Sequence, residues 1–147
     1  SAGLRVSEVV NIRVGDVKLE SKNLYVCGTG KNPKGRTTIF SHNLEDAIAR
    51  QIGTKKPDDF LFPSERGGRL TTRAFAKYFK AALKYSGIGK AATPHSLRHS
   101  FAALLLQSGT KVHTVQNLLG HVRRESTAFY TKLAEPTQTS TTVAQPS

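Results

Sequence analysis

The chain of 147 residues has no methionine, no tryptophan, one cysteine and ten acidic residues. A single cysteine, Cys27, cannot close an internal disulfide, so a core must hold the fold and a reducing cytoplasm fits. Cys27 itself reads as a small buried residue in a strand. No apolar run approaches the roughly 20 residues that a membrane-spanning helix requires. The basic start, apolar stretch and cleavage site of a secretory signal are missing as well. Scarcity of acid has the largest consequence. Against 22 lysines and arginines, ten Asp and Glu leave a formal net charge of +12. That excess favours a polyanionic partner, most simply nucleic acid; the alternative is a soluble protein with a basic surface.

What is present suits one domain with a sizeable core: 37% of the residues are hydrophobic. Val6, Val9, Val10 and Arg13 follow helical spacing. Gly15-Asp16 marks a turn, after which Val17-Lys18-Leu19 and Leu24-Tyr25-Val26-Cys27 read as strands joined at Ser21-Lys22-Asn23. A glycine-rich basic tip over 28–35 leads into a third strand over 36–40. Asn43 is placed to cap a helix whose buried stripe is Leu44, Ala47, Ile48 and Ile52, ended by Gly53. Residues 55–68 read as loop, with Phe60-Leu61-Phe62 turned into the core. Thr71 or Thr72 caps a helix whose face is Phe75, Tyr78, Phe79, Ala82 and Leu83. Thr93-Pro94 opens another, as N-cap and first-turn proline, with Leu97, Phe101, Leu104 and Leu105 as its stripe. A further helix runs from Thr110 through Val112, Val115, Leu118 and Leu119 to Gly120, and residues 125–132 suit a short last one. From 134 to 147 the composition turns to Thr, Ser, Gln and Pro, the make-up of a polar tail. The abrupt start suggests a piece of a longer protein.

Several side chains suit work on a phosphate. His95 and Arg98 lie at i, i+3 at a helix start, where free N–H groups and the helix dipole attract anions. They flank the expected apolar stripe. Alone, they are equally well a capping histidine and a surface arginine. His99 stands at i+4 from His95, but with neither a nearby cysteine nor an HExxH pattern it suits packing behind the site better than a metal. Arg5 and Glu8 are an ordinary helix ion pair, or a second guanidinium on the phosphate steadied by an acid. Lys31, at the hairpin tip, can serve as a general acid or contact the DNA backbone, and Lys34 competes with it. Tyr130 is a candidate nucleophile that neighbouring cations would activate; its plain alternative is a half-buried aromatic.

Taken in order, five stretches resemble the catalytic domain of the tyrosine recombinases, or phage-type integrases. They are Gly3-Leu4-Arg5-Val6-Ser7-Glu8, Gly30-Lys31-Asn32-Pro33-Lys34-Gly35-Arg36, His95-Ser96-Leu97-Arg98-His99, Leu118-Leu119-Gly120-His121, and Tyr130. The resemblance implies an α+β fold, mainly helical with a small three-stranded antiparallel sheet. It implies a catalytic domain over 1–133, separated from an N-terminal DNA-binding domain, followed by the polar tail over 134–147. It assigns Arg5 and Arg98 to the scissile phosphate and His121 to a hydrogen bond on it. By the same resemblance His95 would support proton transfer, Lys31 would protonate the leaving 5′ oxygen, and Tyr130 would form a 3′-phosphotyrosyl link, with Glu8 in support and His99, from its position, packing behind. DNA contacts are expected from Lys34, Arg36, Arg73, Lys77, Arg123 and Arg124. No metal or cofactor is implied, since the tyrosyl ester conserves the phosphodiester energy. The implied partner is double-stranded DNA, bound by a tetramer in a cytoplasmic, nucleoid-associated protein. Two other readings predict different behaviour: a phosphodiesterase using His95 and His121 as acid and base, and a non-catalytic basic DNA-binding fragment.

Overall fold

The computed structural model describes residues 2–28, 33–120 and 131–132. Helix α1 spans Val6–Val9 and ends there, short of Arg13. Its last turn gives way to a 3-10 turn at Val14–Asp16, which delivers the chain to a three-stranded antiparallel sheet in the order β1-β2-β3. Strand β1 is Val17–Lys18, β2 is Asn23–Val26 and β3 is Arg36–Ile39. Lys22 turns the β1–β2 corner with φ 55, a left-handed conformation that leaves its carbonyl facing the amide of Phe40 at 3.1 Å.

The register explains which residues the sheet hides. Leu24 pairs with Thr38 and Val26 with Arg36. Side chains alternate faces along a strand, so Leu24, Val26, Thr38 and Arg36 share the core side while Tyr25 and Thr37 share the other. Leu24 and Val26 join Ile12, Val14, Phe40 and Leu61 in one buried cluster. Leu44, Ile48 and Ile52 of helix α2 (Glu45–Ile52) and Phe62 pack against it. Ala47, expected in that stripe, is exposed. The cap expected at Asn43 is supplied by Ser41, whose hydroxyl accepts from the Asn43 amide at the head of a 3-10 turn, His42–Leu44, that precedes α2. Cys27 also differs from expectation: it lies just past the end of β2 and is exposed.

Helix α3 (Thr72–Tyr85) is capped by the Thr71 hydroxyl, which accepts from the Ala74 amide at 3.0 Å. It meets α1 through Phe75 and Phe79, which line a small cleft with Val6, Val9 and Leu97. Helix α4 (Pro94–Gln107) and helix α5 (Val112–Leu119) form the second core, of Phe101, Ala102, Leu106, Val115 and Leu119. The expected stripe on α4 is rotated: Leu97 and Leu104 are exposed, whereas Arg98, Phe101, Ala102 and Leu106 are buried. Arg98 therefore belongs to the buried face rather than flanking it. The α5 cap is Lys111, one residue beyond Thr110. Helix α5 lies against β3, which brings the two cores together along the strand that begins with Arg36.

Candidate active site

The site is assembled around Glu8, a carboxylate on α1 whose side chain is only 6% exposed. Burying an isolated carboxylate is costly, and here four hydrogen bonds compensate. The Arg5 amide donates to Oε2 at 2.8 Å, closing the N-terminus of α1, and Arg5 Nη1 donates to Oε1 at 3.3 Å. Arg36 supplies a bidentate pair, Nη1 to Oε1 at 2.7 Å and Nη2 to Oε2 at 2.9 Å. Arg98 Nη1 lies 4.0 Å from Oε2. Burial pulls the Glu8 pKa upward, but the bonds from Arg36 and the Arg5 amide, with the charges of Arg36 and Arg5, outweigh it and hold the carboxyl below its usual value.

Arg98 is anchored from two directions. Nη1 donates to the carbonyl of Gly3 at 2.7 Å and Nη2 to that of Leu119 at 2.6 Å. One guanidinium thus joins the segment before α1, helix α4 and the end of α5. Gly3 makes this approach possible. Its φ is +66, and a Cβ there would stand 2.5 Å from Phe101 Cδ1 and 2.6 Å from Leu119 Cδ2. Arg5 differs from Arg98 in leaving 47% of its side chain exposed. Three guanidiniums against one carboxylate leave an excess of positive charge, and Arg5 presents part of it to solvent.

The start of α4 is closed by a reciprocal pair: the Ser96 amide donates to Thr93 Oγ1 at 3.1 Å and the Thr93 amide to Ser96 Oγ at 2.8 Å. His95, in the first turn, is exposed. Its Nε2 lies 2.8 Å from Nε2 of His99, with the rings edge to face and their centroids 4.4 Å apart. Burial lowers the pKa of His99, and the positive charges of His95 and Arg98 lower it further. The pair shares one hydrogen bond, which requires at least one neutral ring.

Arg5, Glu8 and Arg98 are therefore brought together, and His95 is paired with His99, the residue that follows Arg98 on α4. Lys31, His121, Tyr130, Arg123 and Arg124 lie outside the described residues, as does the segment 134–147. Lys34, Arg73 and Lys77 are exposed, the last two one helical turn apart on α3. Arg36 is placed otherwise than expected of a DNA contact: 12% of its side chain is exposed, and its guanidinium is engaged by Glu8 and by the Leu118 carbonyl, at 2.9 Å from Nε. The available signal was strand alternation, which sets Arg36 on the same face as Thr38 and Phe40.

Residues 1–136 match the model of the phage integrase family. The chain is 38% identical over 141 residues to the tyrosine recombinase XerD of Listeria innocua serovar 6a, a match covering 92% of this chain and 48% of that protein. It is likewise 38% identical over 134 residues to the tyrosine recombinase XerA of Pyrococcus horikoshii, covering 90% of this chain and 47% of that one. Among solved structures, a crystal structure of XerA recombinase superposes with a TM-score of 0.77 at 32% identity, covering 88% of this chain and 48% of its own. The XerH site-specific recombinase bound to difH substrate, in a pre-cleavage complex, superposes with a TM-score of 0.67 at 28% identity, covering 88% and 39%. The chain spans about half the length of the curated relatives it matches.

Proposed function

This chain belongs to the phage integrase family, and on that premise we propose that it carries the catalytic part of a site-specific DNA recombinase, over residues 1–133, with 134–147 as a tail. The substrate is double-stranded DNA, the partner protein a further copy of the same chain, and the working assembly a tetramer on two DNA sites. Arg5 and Arg98 bind the non-bridging oxygens of the scissile phosphate, with His121 donating a third hydrogen bond. The Tyr130 phenolic oxygen attacks phosphorus as its proton departs with help from His95. The bond to the 5′ oxygen breaks, and Lys31 gives that oxygen its proton. The 3′-phosphotyrosyl ester is then opened by a 5′ hydroxyl of another strand, which restores Tyr130. Lys34, Arg73, Lys77, Arg123 and Arg124 contribute backbone-phosphate contacts that set position rather than sequence.

One observation carries this reading. Arg5 and Arg98 stand 93 positions apart in the chain, yet both lie within 4.0 Å of the same buried carboxylate. An acid held ionised by arginines is what a clamp of like charges needs in order to form before a phosphate arrives. The test is a nicked suicide duplex containing the recognition site of the element that encodes the chain. A denaturation-resistant protein–DNA adduct is expected, and Tyr130→Phe is expected to abolish it. Cleavage that survives Tyr130→Phe would instead establish the histidine-based phosphodiesterase. Salt-sensitive binding with no strand cutting would leave a DNA-binding fragment.

A further inference from the structure

Arg36 makes contacts with two separate pieces of chain. Its two terminal nitrogens take both oxygens of Glu8 on α1 at 2.7 and 2.9 Å. Its Nε donates to the carbonyl of Leu118 at 2.9 Å, near the end of α5. The flat face of the guanidinium rests on Gly120, where an added Cβ would stand 3.0 Å from Nη1 and 3.1 Å from Cζ. Gly120 directly precedes His121 in sequence, and Arg36 itself follows the hairpin tip that contains Lys31. With 12% of its side chain exposed, Arg36 has little surface to offer to DNA.

We infer that Arg36 is a positioning residue, which sets Glu8, and through it Arg5, in register with the end of α5. It acts on the phosphate only through these neighbours. The planar fork suits this task because it satisfies two carboxylate oxygens and a carbonyl simultaneously, whereas a lysine offers a single point charge. The inference rests on the recombinase reading, since it presumes that Arg5 binds the scissile phosphate.

The experiment compares wild type, Arg36→Lys and Arg36→Met on two suicide duplexes, one with an ordinary scissile phosphate and one with a methylphosphonate there. The neutral linkage has no charge for an arginine clamp to balance. On the ordinary duplex, adduct formation by Arg36→Lys is expected to slow by about 100-fold, the scale of a misplaced catalytic group. DNA affinity should stay within about threefold, because a buried side chain supplies no phosphate contact. On the methylphosphonate the deficit should largely disappear. Equal deficits on both duplexes would point to a general loss of fold, and a fully active Arg36→Lys would remove any positioning role; either result overturns the inference. Should Arg36→Met fail to fold, Arg36→Lys decides alone, and failure of that variant to fold also counts against the inference. Amide exchange provides a readout that does not depend on cleavage. Arg36→Lys should speed exchange about tenfold in both α1 and the end of α5, leaving α2 unchanged. Acceleration in only one of the two segments overturns the coupling, even if wild type forms no adduct and the recombinase reading itself fails.

Discussion

Replacing Glu8 by glutamine keeps the shape of the side chain and removes its charge. In the wild-type protein this carboxylate accepts four hydrogen bonds, two of them from the Arg36 fork, while 6% of the side chain is exposed. The amide can still accept at its oxygen, but its nitrogen is a donor placed against other donors. Breaking a buried ion pair from one side typically costs 3–5 kcal/mol, and the retained acceptor sets the expectation for Glu8→Gln at about 3 kcal/mol. Set against a total of roughly 5–15 kcal/mol, that is a large share of the stability. With a urea slope of about 2 kcal/mol per molar, the unfolding midpoint should fall by about 1.5 M. The pH dependence adds a sharper condition. Glu8 has a lowered pKa in the folded state, so its contribution is complete above the unfolded value of about 4.3 and is lost as pH falls through the folded one. The gap between wild type and Glu8→Gln, followed by circular dichroism, should therefore stay constant from about pH 7 to pH 5 and narrow only below about pH 4.3. A gap under about 0.5 kcal/mol at pH 7, the size of an ordinary surface change, would refute the central place given to this carboxylate. So would a gap that narrows already above pH 5.

Gly3→Ala puts a methyl group 2.5 Å from Phe101 and demands a left-handed conformation, so a loss of about 3 kcal/mol is expected in urea unfolding, together with weaker adduct formation as the Arg98 anchor shifts. Thr38 is fully buried, and its hydroxyl has no hydrogen-bond partner among the described residues, so Thr38→Val should raise stability by about 1 kcal/mol; a fall of that size would mean that the hydroxyl is satisfied. His99 should titrate, by NMR of its ring protons, below the ordinary value of 6.5, and His95→Gln should move the midpoint upward by removing a neighbouring charge. Because the folded pKa is the lower one, the contribution of His99 to stability is present above 6.5 and is lost as pH falls through the folded value; a midpoint above 6.5 would contradict the burial described for the ring.

Hydropathy patterns pass over buried polar residues, and two arginines mark where the sequence is least legible. The hairpin was legible because buried Leu24 and Val26 flank exposed Tyr25 and a glycine-rich stretch over 28–35 follows in the sequence. The opening of α4 was legible because Thr93-Pro94 combines a hydroxyl acceptor with a residue that has no N–H to satisfy. The buried face of α4 was misread for one reason: only apolar residues were admitted to the stripe. With Arg98 admitted, the face runs 98, 101, 102 and 106, which keeps helical spacing and leaves Leu97 and Leu104 outside. At Arg36 the two signals oppose each other in the same way, since alternation places it inward with Thr38 whereas its charge suggests the surface. Both arginines can be buried because each finds fixed acceptors, carbonyls of Gly3 and Leu119 for one and Glu8 with the Leu118 carbonyl for the other. Those acceptors are far away in sequence, so no local window contains the information. What a local window does contain is the spacing, and a basic residue that completes an otherwise apolar period is the sign that a distant acceptor has to exist.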